Sequence, residues 1–197
     1  HTLGLDSPFN YPEQAMLCVP RYLPEPNSFS MRETLLNTAK RLIKASKGRC
    51  FLLFTSHAML REIAGKLEDE IDNPLLVQGT TTKQALLDAY IADEKAVLLG
   101  TGAFWEGVDV RGNDLVCVMI DKLPFASPDD PLLQARMEDV KKRGANPFAV
   151  IQIPQAVIAL KQGAGRLIRD PLDKGVLVIC DNRLVTKPYA KTFIGIL

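Results

Sequence analysis

The sequence predicts an α/β domain in which a mainly parallel sheet is covered by helices on both faces. Three observations carry that prediction. Short, wholly apolar runs such as Phe51-Leu52-Leu53-Phe54 and Ala96-Val97-Leu98-Leu99 recur along the chain. Stretches with helical periodicity stand between most of them. A strand that is apolar throughout must be buried on both sides, and strands joined through helices run parallel.

The elements follow in order. Residues 1–30 are rich in Pro, Asn and Ser and form a lead-in segment, with one strand-like piece at 15–19. From Met31 the pattern is regular, so 31–197 reads as the domain proper. A helix is predicted over 32–46, a strand over 49–54, a helix over 59–69 and a short strand at 75–77. A helix over 83–92 and strands at 96–99 and 115–120 come next, then a charged helix over 131–142. A longer helix is expected to begin near Pro154, a residue suited to a first turn where its missing N–H has no partner to lose. It should stop before Pro171, and a last strand at 176–180 closes the pattern. Internal repeats and low-complexity tracts are absent from the sequence.

Composition narrows the function less than the pattern does. A chain of 197 residues with 47% apolar and 24% charged residues suits one large soluble domain. A net charge of +1 gives no global argument for nucleic acid or an acidic substrate. Arg32, Lys40, Arg41, Lys44, Lys47 and Arg49 crowd one segment against Glu33 alone, which fits a solvated helix face. Cys18, Cys50, Cys117 and Cys180 sit in or beside apolar runs, without the Cys or His spacing of a metal site. They read as free thiols in a reducing compartment, and no metal ligands are assigned. No apolar run reaches the roughly 18 to 20 residues of a membrane span, and no signal segment opens the chain. A cytoplasmic protein without membrane contact is expected.

In parallel sheets, ligands bind where strands end and loops begin. Thr55-Ser56-His57 follows one strand and precedes a helix, which makes either an anion site or a plain helix cap. Gln78-Gly79-Thr80-Thr81-Thr82 offers polar donors in the same position. Asp121 ends an apolar strand in the manner of a magnesium-binding Walker B acid, although Lys122-Leu123-Pro124 follow where a second acid is expected. The stretch from Leu98 to Gly112, LLGTGAFWEGVDVRG, has the glycine spacing of a P-loop at Gly102 and Gly107. Val108-Asp109 occupy the places of its Lys and Ser/Thr.

The segment Lys161-Gln162-Gly163-Ala164-Gly165-Arg166-Leu167-Ile168-Arg169 is the most informative. On a continuous helix, Gln162, Arg166 and Arg169 share one face at i, i+4 and i+7. Two guanidiniums and an amide on one face suit bidentate contact with phosphate oxygens. Ion pairs of Arg166 and Arg169 with Asp170 or Asp181 fit the sequence equally well.

Q-x-x-G-R-x-x-R at Gln162 to Arg169 resembles motif VI of superfamily 2 helicases. Phe104-Trp105-Glu106-Gly107-Val108-Asp109 is similar to motif V of the DinG/XPD-like branch, and Leu53-Phe54-Thr55-Ser56-His57 to motif IV. Cys180-Asp181-Asn182-Arg183 resembles the D-x-R element that closes the domain. Ile120-Asp121-Lys122-Leu123-Pro124-Phe125, with Pro128 and Asp130-Pro131, fits the same branch. The likeness covers nearly the whole chain.

It implies the second RecA-like domain, a three-layer α/β unit, of an ATP-dependent DNA helicase. The P-loop, the acidic box and the cysteines of an iron–sulfur cluster would lie elsewhere in the polypeptide, so this chain alone is expected to be inactive. The resemblance implies that Arg166 and Arg169 are arginine fingers and that Gln162 aligns nucleotide or water. Glu106, Gly107, Asp109 and Gly165 would bind nucleotide or couple cleft closure to DNA. Thr55, Ser56, Gln78, Thr80, Thr101 and Trp105 would hold single-stranded or partly unwound DNA, with Trp105 either stacking on a base or packing in the interdomain wall. ATP and Mg²⁺ are the implied cofactors. The first RecA-like domain and replication or repair proteins are the implied partners, with 5′→3′ unwinding. The other reading is a stand-alone nucleic-acid or protein-docking module without ATPase activity.

Overall fold

The computed structural model describes residues 10–105, 110, 114–127 and 129–195, with the side chains of Tyr11, Ala103 and Trp105 outside that description. Its strands are β1 (Ala15–Cys18), β2 (Cys50–Leu53), β3 (Leu75–Val77), β4 (Val97–Gly100), β5 (Cys117–Ile120) and β6 (Gly175–Ile179). Among the described residues they form one sheet in the order β1-β6-β5-β2-β4-β3, and every pairing is parallel. The helices are α1 (Tyr11–Gln14), α2 (Phe29–Ser46), α3 (His57–Glu68), α4 (Lys83–Ala92) and α5 (Gly102–Trp105), then α6 (Pro131–Lys142), α7 (Ile153–Ala164), α8 (Arg183–Thr186) and α9 (Ala190–Ile194). None of the described helices is long and apolar enough to cross a membrane.

The apolar runs are buried on both faces, as their composition requires. Phe51 and Leu53, Val118 and Ile120, and Leu177 and Ile179 point to one side, against Leu86 and Tyr90 of α4, Phe104 of α5, Leu160 of α7 and Phe193 of α9. Their neighbours Cys50, Leu52, Leu99, Cys117, Met119 and Val178 point to the other, against Leu35 and Ile43 of α2 and Ile63 and Leu67 of α3. This period of two places a helix layer on each face. Cys50, Cys117 and Cys180 are buried in this packing, and Cys18 is exposed on the edge strand.

Two sequence expectations change. The strand-like piece in the lead-in is β1, an integral strand whose Ala15 sits in register with Gly175 of β6. The helix expected to run from Pro154 nearly to Pro171 instead ends at Ala164, so Arg166 and Arg169 do not share a helical face with Gln162. Gly165 follows as the cap, with its N–H bonded back to Lys161 O at 2.9 Å, and a tighter turn follows as Arg166 N reaches Gly163 O at 3.3 Å. Gly163 and Gly165 weaken the helix by about 1 kcal/mol each relative to Ala. The chain leaves it there to bury Leu167 and Ile168, 3% and 5% exposed, in the core. A π-helical turn, Phe148–Gln152, also precedes α7 and was not expected.

Candidate functional site

The chain leaves β4, crosses behind β2 and returns as β5, so the C-terminal ends of β4, β2 and β5 form the point where strand order reverses. The ladder extends one residue further there: Phe54 N donates to Gly100 O at 2.8 Å and Asp121 N to Leu53 O at 3.0 Å. The residues that emerge are Thr55, Thr101 and Asp121.

Asp121 is 2% exposed and accepts from Thr55 N (2.9 Å), Thr55 Oγ1 (3.2 Å) and Lys122 N (2.8 Å). Its carboxylate therefore shapes the loop after β2. Burial pushes its carboxyl up to about 7, opposed by Lys122 and by the donors from Thr55 and Lys122. Among the described residues, no group of three or more His, Cys, Asp or Glu is placed to hold a metal ion.

Beside it, Thr101 is buried at 5% exposure. Its N–H and its hydroxyl both donate to Gln78 Oε1, the hydroxyl at 3.0 Å, and the hydroxyl lies 3.3 Å from His57 Nε2. Gln78 in turn is held to the sheet through its N–H on Leu99 O at 2.9 Å. Thr101 thus faces inward and orients Gln78 and His57. The sequence reading assigned His57 no role; its position as the first residue of α3, after a polar strand end, was the available signal.

Ser56 and Thr80 are exposed. The Ser56 hydroxyl caps α3 by accepting from Met59 N at 3.3 Å, a contact of about 1 kcal/mol. The Thr80 hydroxyl donates to Val77 O at 2.9 Å and tightens the turn after β3, where Gly79 sits at φ +99°.

A cleft of about 200 Å³ opens at these strand ends, lined by Phe54, Thr55, Gly102, Pro124, Phe125, Ala159 and Gln162. Gln162 therefore meets the loops after β2 and β4. Phe125 is fixed from behind. Arg183 lies 5.2 Å from its ring centroid and grips the fully buried Asp181 through Nε at 2.9 Å and Nη2 at 2.6 Å. Asp181 also accepts from Leu123 N at 2.8 Å. The D-x-R element is thus a brace for the cleft wall, and Arg183 pairs with Asp181, a carboxylate that the sequence offered to Arg166 or Arg169.

The arginine segment continues away from Gln162 through Gly165. Arg166 and Arg169 are both half-buried. Between them Leu167 packs so tightly on Gly175 that a Cβ there would lie 2.4 Å from Leu167 Cδ1 and 2.9 Å from Val116 O. Beyond Arg169, the buried Asp173 accepts from Arg169 N and Asp170 N, each at 2.9 Å. Glu106, Gly107 and Asp109 lie outside the described residues, as does the side chain of Trp105.

The Helicase C-terminal domain family matches residues 39–197. The chain is 54% identical to the ATP-dependent DNA helicase YoaA of Escherichia coli K12 over 98% of its own length and 30% of that protein's. It is also 54% identical to the YoaA of Haemophilus influenzae, over 96% of its length and 30% of that protein's. The chain thus spans about a third of the curated relatives it matches. A solved XPD helicase superposes with a TM-score of 0.72 at 19% identity, covering 92% of this chain and 34% of that one, a likeness of fold. With the sheet order, the strand-end cleft and a family match over most of its length in place, the chain belongs to the helicase C-terminal domain family.

Proposed function

We propose that this chain is the second RecA-like motor domain of an ATP-dependent DNA helicase and completes an ATP site begun on the first RecA-like domain. The observation that carries the reading is the cleft that joins Gln162, at the head of the arginine segment, to Thr55 and Gly102 at the sheet's switch point. One segment then bears nucleotide-facing groups while the strand-end loops beside it bear DNA-facing groups.

In this reading Arg166 and Arg169 neutralise charge that develops on the γ-phosphoryl group during transfer, a role worth about 10³–10⁵ in rate where arginine fingers act. Gln162 orients nucleotide or water, and Gly165 ends the helix so that the arginines leave its axis. Glu106, Gly107 and Asp109 couple closure of the cleft to the DNA side. Thr55, Ser56, Gln78, Thr80 and Trp105 hold single-stranded DNA, chiefly through phosphate contacts that tolerate any sequence. Thr101 acts from within by orienting Gln78. Mg²⁺ accompanies ATP and lowers the charge of its phosphates, and its protein ligands belong to the first domain. An iron–sulfur cluster likewise belongs to the rest of the polypeptide, since three of the four cysteines here are buried in the core packing. Unwinding 5′→3′ in cytoplasmic DNA repair or replication, with proteins of those processes as partners, completes the proposal.

The test uses the full-length enzyme with ATP and duplexes bearing a single-stranded 5′ or 3′ tail. DNA-stimulated ATP hydrolysis and separation of the 5′-tailed duplex are expected. Hydrolysis indifferent to DNA contradicts the reading. Robust ATP turnover by this chain alone refutes the shared site.

A further inference from the structure

The lead-in segment and the arginine segment meet in a buried knot of hydrogen bonds. Gln14 is 7% exposed and Asp173 is 5% exposed. Gln14 Nε2 donates to Asp170 O at 2.8 Å and to Asp173 O at 3.1 Å, while its Oε1 accepts from Asn10 N at 2.9 Å. Asp173 Oδ2 takes both Arg169 N and Asp170 N, and Asp173 N returns to Asp170 O at 3.1 Å. Both donors of one amide and both lone pairs of one carboxylate oxygen are thereby used on a five-residue loop. On the other side of Arg169, Leu167 and Ile168 are locked in the core. The Arg169 backbone is clamped from two directions, although no helix supports it.

We propose that Asp173 and Gln14 are positioning residues for Arg169: they fix the backbone from which its guanidinium reaches the nucleotide, and they tie that position to the segment entering β1. The inference rests on the arginine-finger reading of Arg169. A finger on a loop loses the side-chain alignment that a helix would impose, and a displacement near 1 Å is enough to cost about 10²-fold in rate. A buried carboxylate that accepts two backbone N–H groups removes that freedom, and Gln14 closes the same loop through its carbonyls. A shift of α1 would reach the Arg169 loop through the Gln14 amide.

The experiment measures ATP hydrolysis by the full-length enzyme with a single-stranded oligonucleotide, comparing Asp173→Ala, Asp173→Asn, Gln14→Glu, Arg169→Ala and the double variant Arg169→Ala/Asp173→Ala. Asp173→Ala and Gln14→Glu should lower kcat about tenfold to a hundredfold, with KM for ATP and oligonucleotide affinity within twofold of the parent. Asp173→Asn should recover most of the rate, because its amide oxygen accepts the same two N–H groups in an isosteric side chain. In the double variant, the Asp173 change should add nothing to the loss from Arg169→Ala, the non-additivity expected of groups acting through one another. Losses that multiply in the double variant would overturn the proposal, as would normal kcat in Asp173→Ala and Gln14→Glu beside a crippled Arg169→Ala. A normal kcat in Arg169→Ala would instead remove the finger reading itself.

Discussion

Asp121 and Asp173 are two buried aspartates that use the same device on opposite sides of the proposed machine. Each accepts backbone N–H groups from a loop that carries functional side chains: Asp121 from Thr55 and Lys122, Asp173 from Arg169 and Asp170. Asp121 follows β5 at its C-terminal end and shapes the corner proposed to face DNA. Asp173 precedes β6 and shapes the arginine loop. The difference is one of support. The Thr55 loop is also pinned by the β ladder and the cap of α3, whereas the arginine loop has left its helix and depends on Asp173 and Gln14. The comparison teaches that buried carboxylates hold the loops on which the proposed functional side chains stand.

Breaking the Asp121 side should lower stability. Asp121→Ala strands Thr55 N and Lys122 N, at about 1–3 kcal/mol for each buried donor left without a partner, so chemical denaturation of the chain should show a loss of that order. In the full-length enzyme the same change should weaken stimulation by DNA more than the basal ATPase. An equal loss of both would detach Asp121 from the DNA side.

The pH dependence tests Asp121 next. Because burial raises Asp121 from its ordinary value of 3.8 to about 7, the folded chain keeps a proton that the unfolded chain has released across that interval. The unfolded state binds fewer protons there, so stability should fall as pH rises from about 4 to about 7, by on the order of a few kcal/mol. Denaturation midpoints across this range should slope downward in the parent and flatten in Asp121→Asn. A slope that persists in that variant would assign the titration to another group.

Smaller effects sharpen the DNA corner. Thr101→Val removes the hydroxyl that links Gln78 and His57 and should cost about 1 kcal/mol, seen as a greater fall in DNA-stimulated than in basal ATPase. Ser56→Ala should cost about 1 kcal/mol of stability through the lost cap of α3, read by thermal unfolding. A much larger fall in DNA affinity for Ser56→Ala would show that its hydroxyl serves the ligand before the helix.

The parallel sheet was legible because its strands are apolar on both faces and joined through helices, a pattern that few other folds accommodate. β1 was visible as a strand-like piece, yet its place in the sheet depends on pairing with β6, far along the chain, which no local pattern encodes. The end of α7 was obscured for a physical reason. Gly163 and Gly165 are costly in a helix without forbidding it, and the decision lies with the burial of Leu167 and Ile168 and with the acceptor Asp173. Thr101 was expected among the DNA-holding residues, and its burial was not legible from its place at a strand end beside two glycines. Its partner Gln78 comes from the loop after β3 and closes over it. Gln14 gave no signal of its role, since its partners are main-chain carbonyls.

The central claim is that the arginine segment completes an ATP site, and Arg169→Ala in the full-length enzyme tests it most directly. The variant should bind ATP and single-stranded DNA as the parent does while kcat for DNA-stimulated ATP hydrolysis falls by about 10³-fold or more. A kcat within a few-fold of the parent would contradict the account.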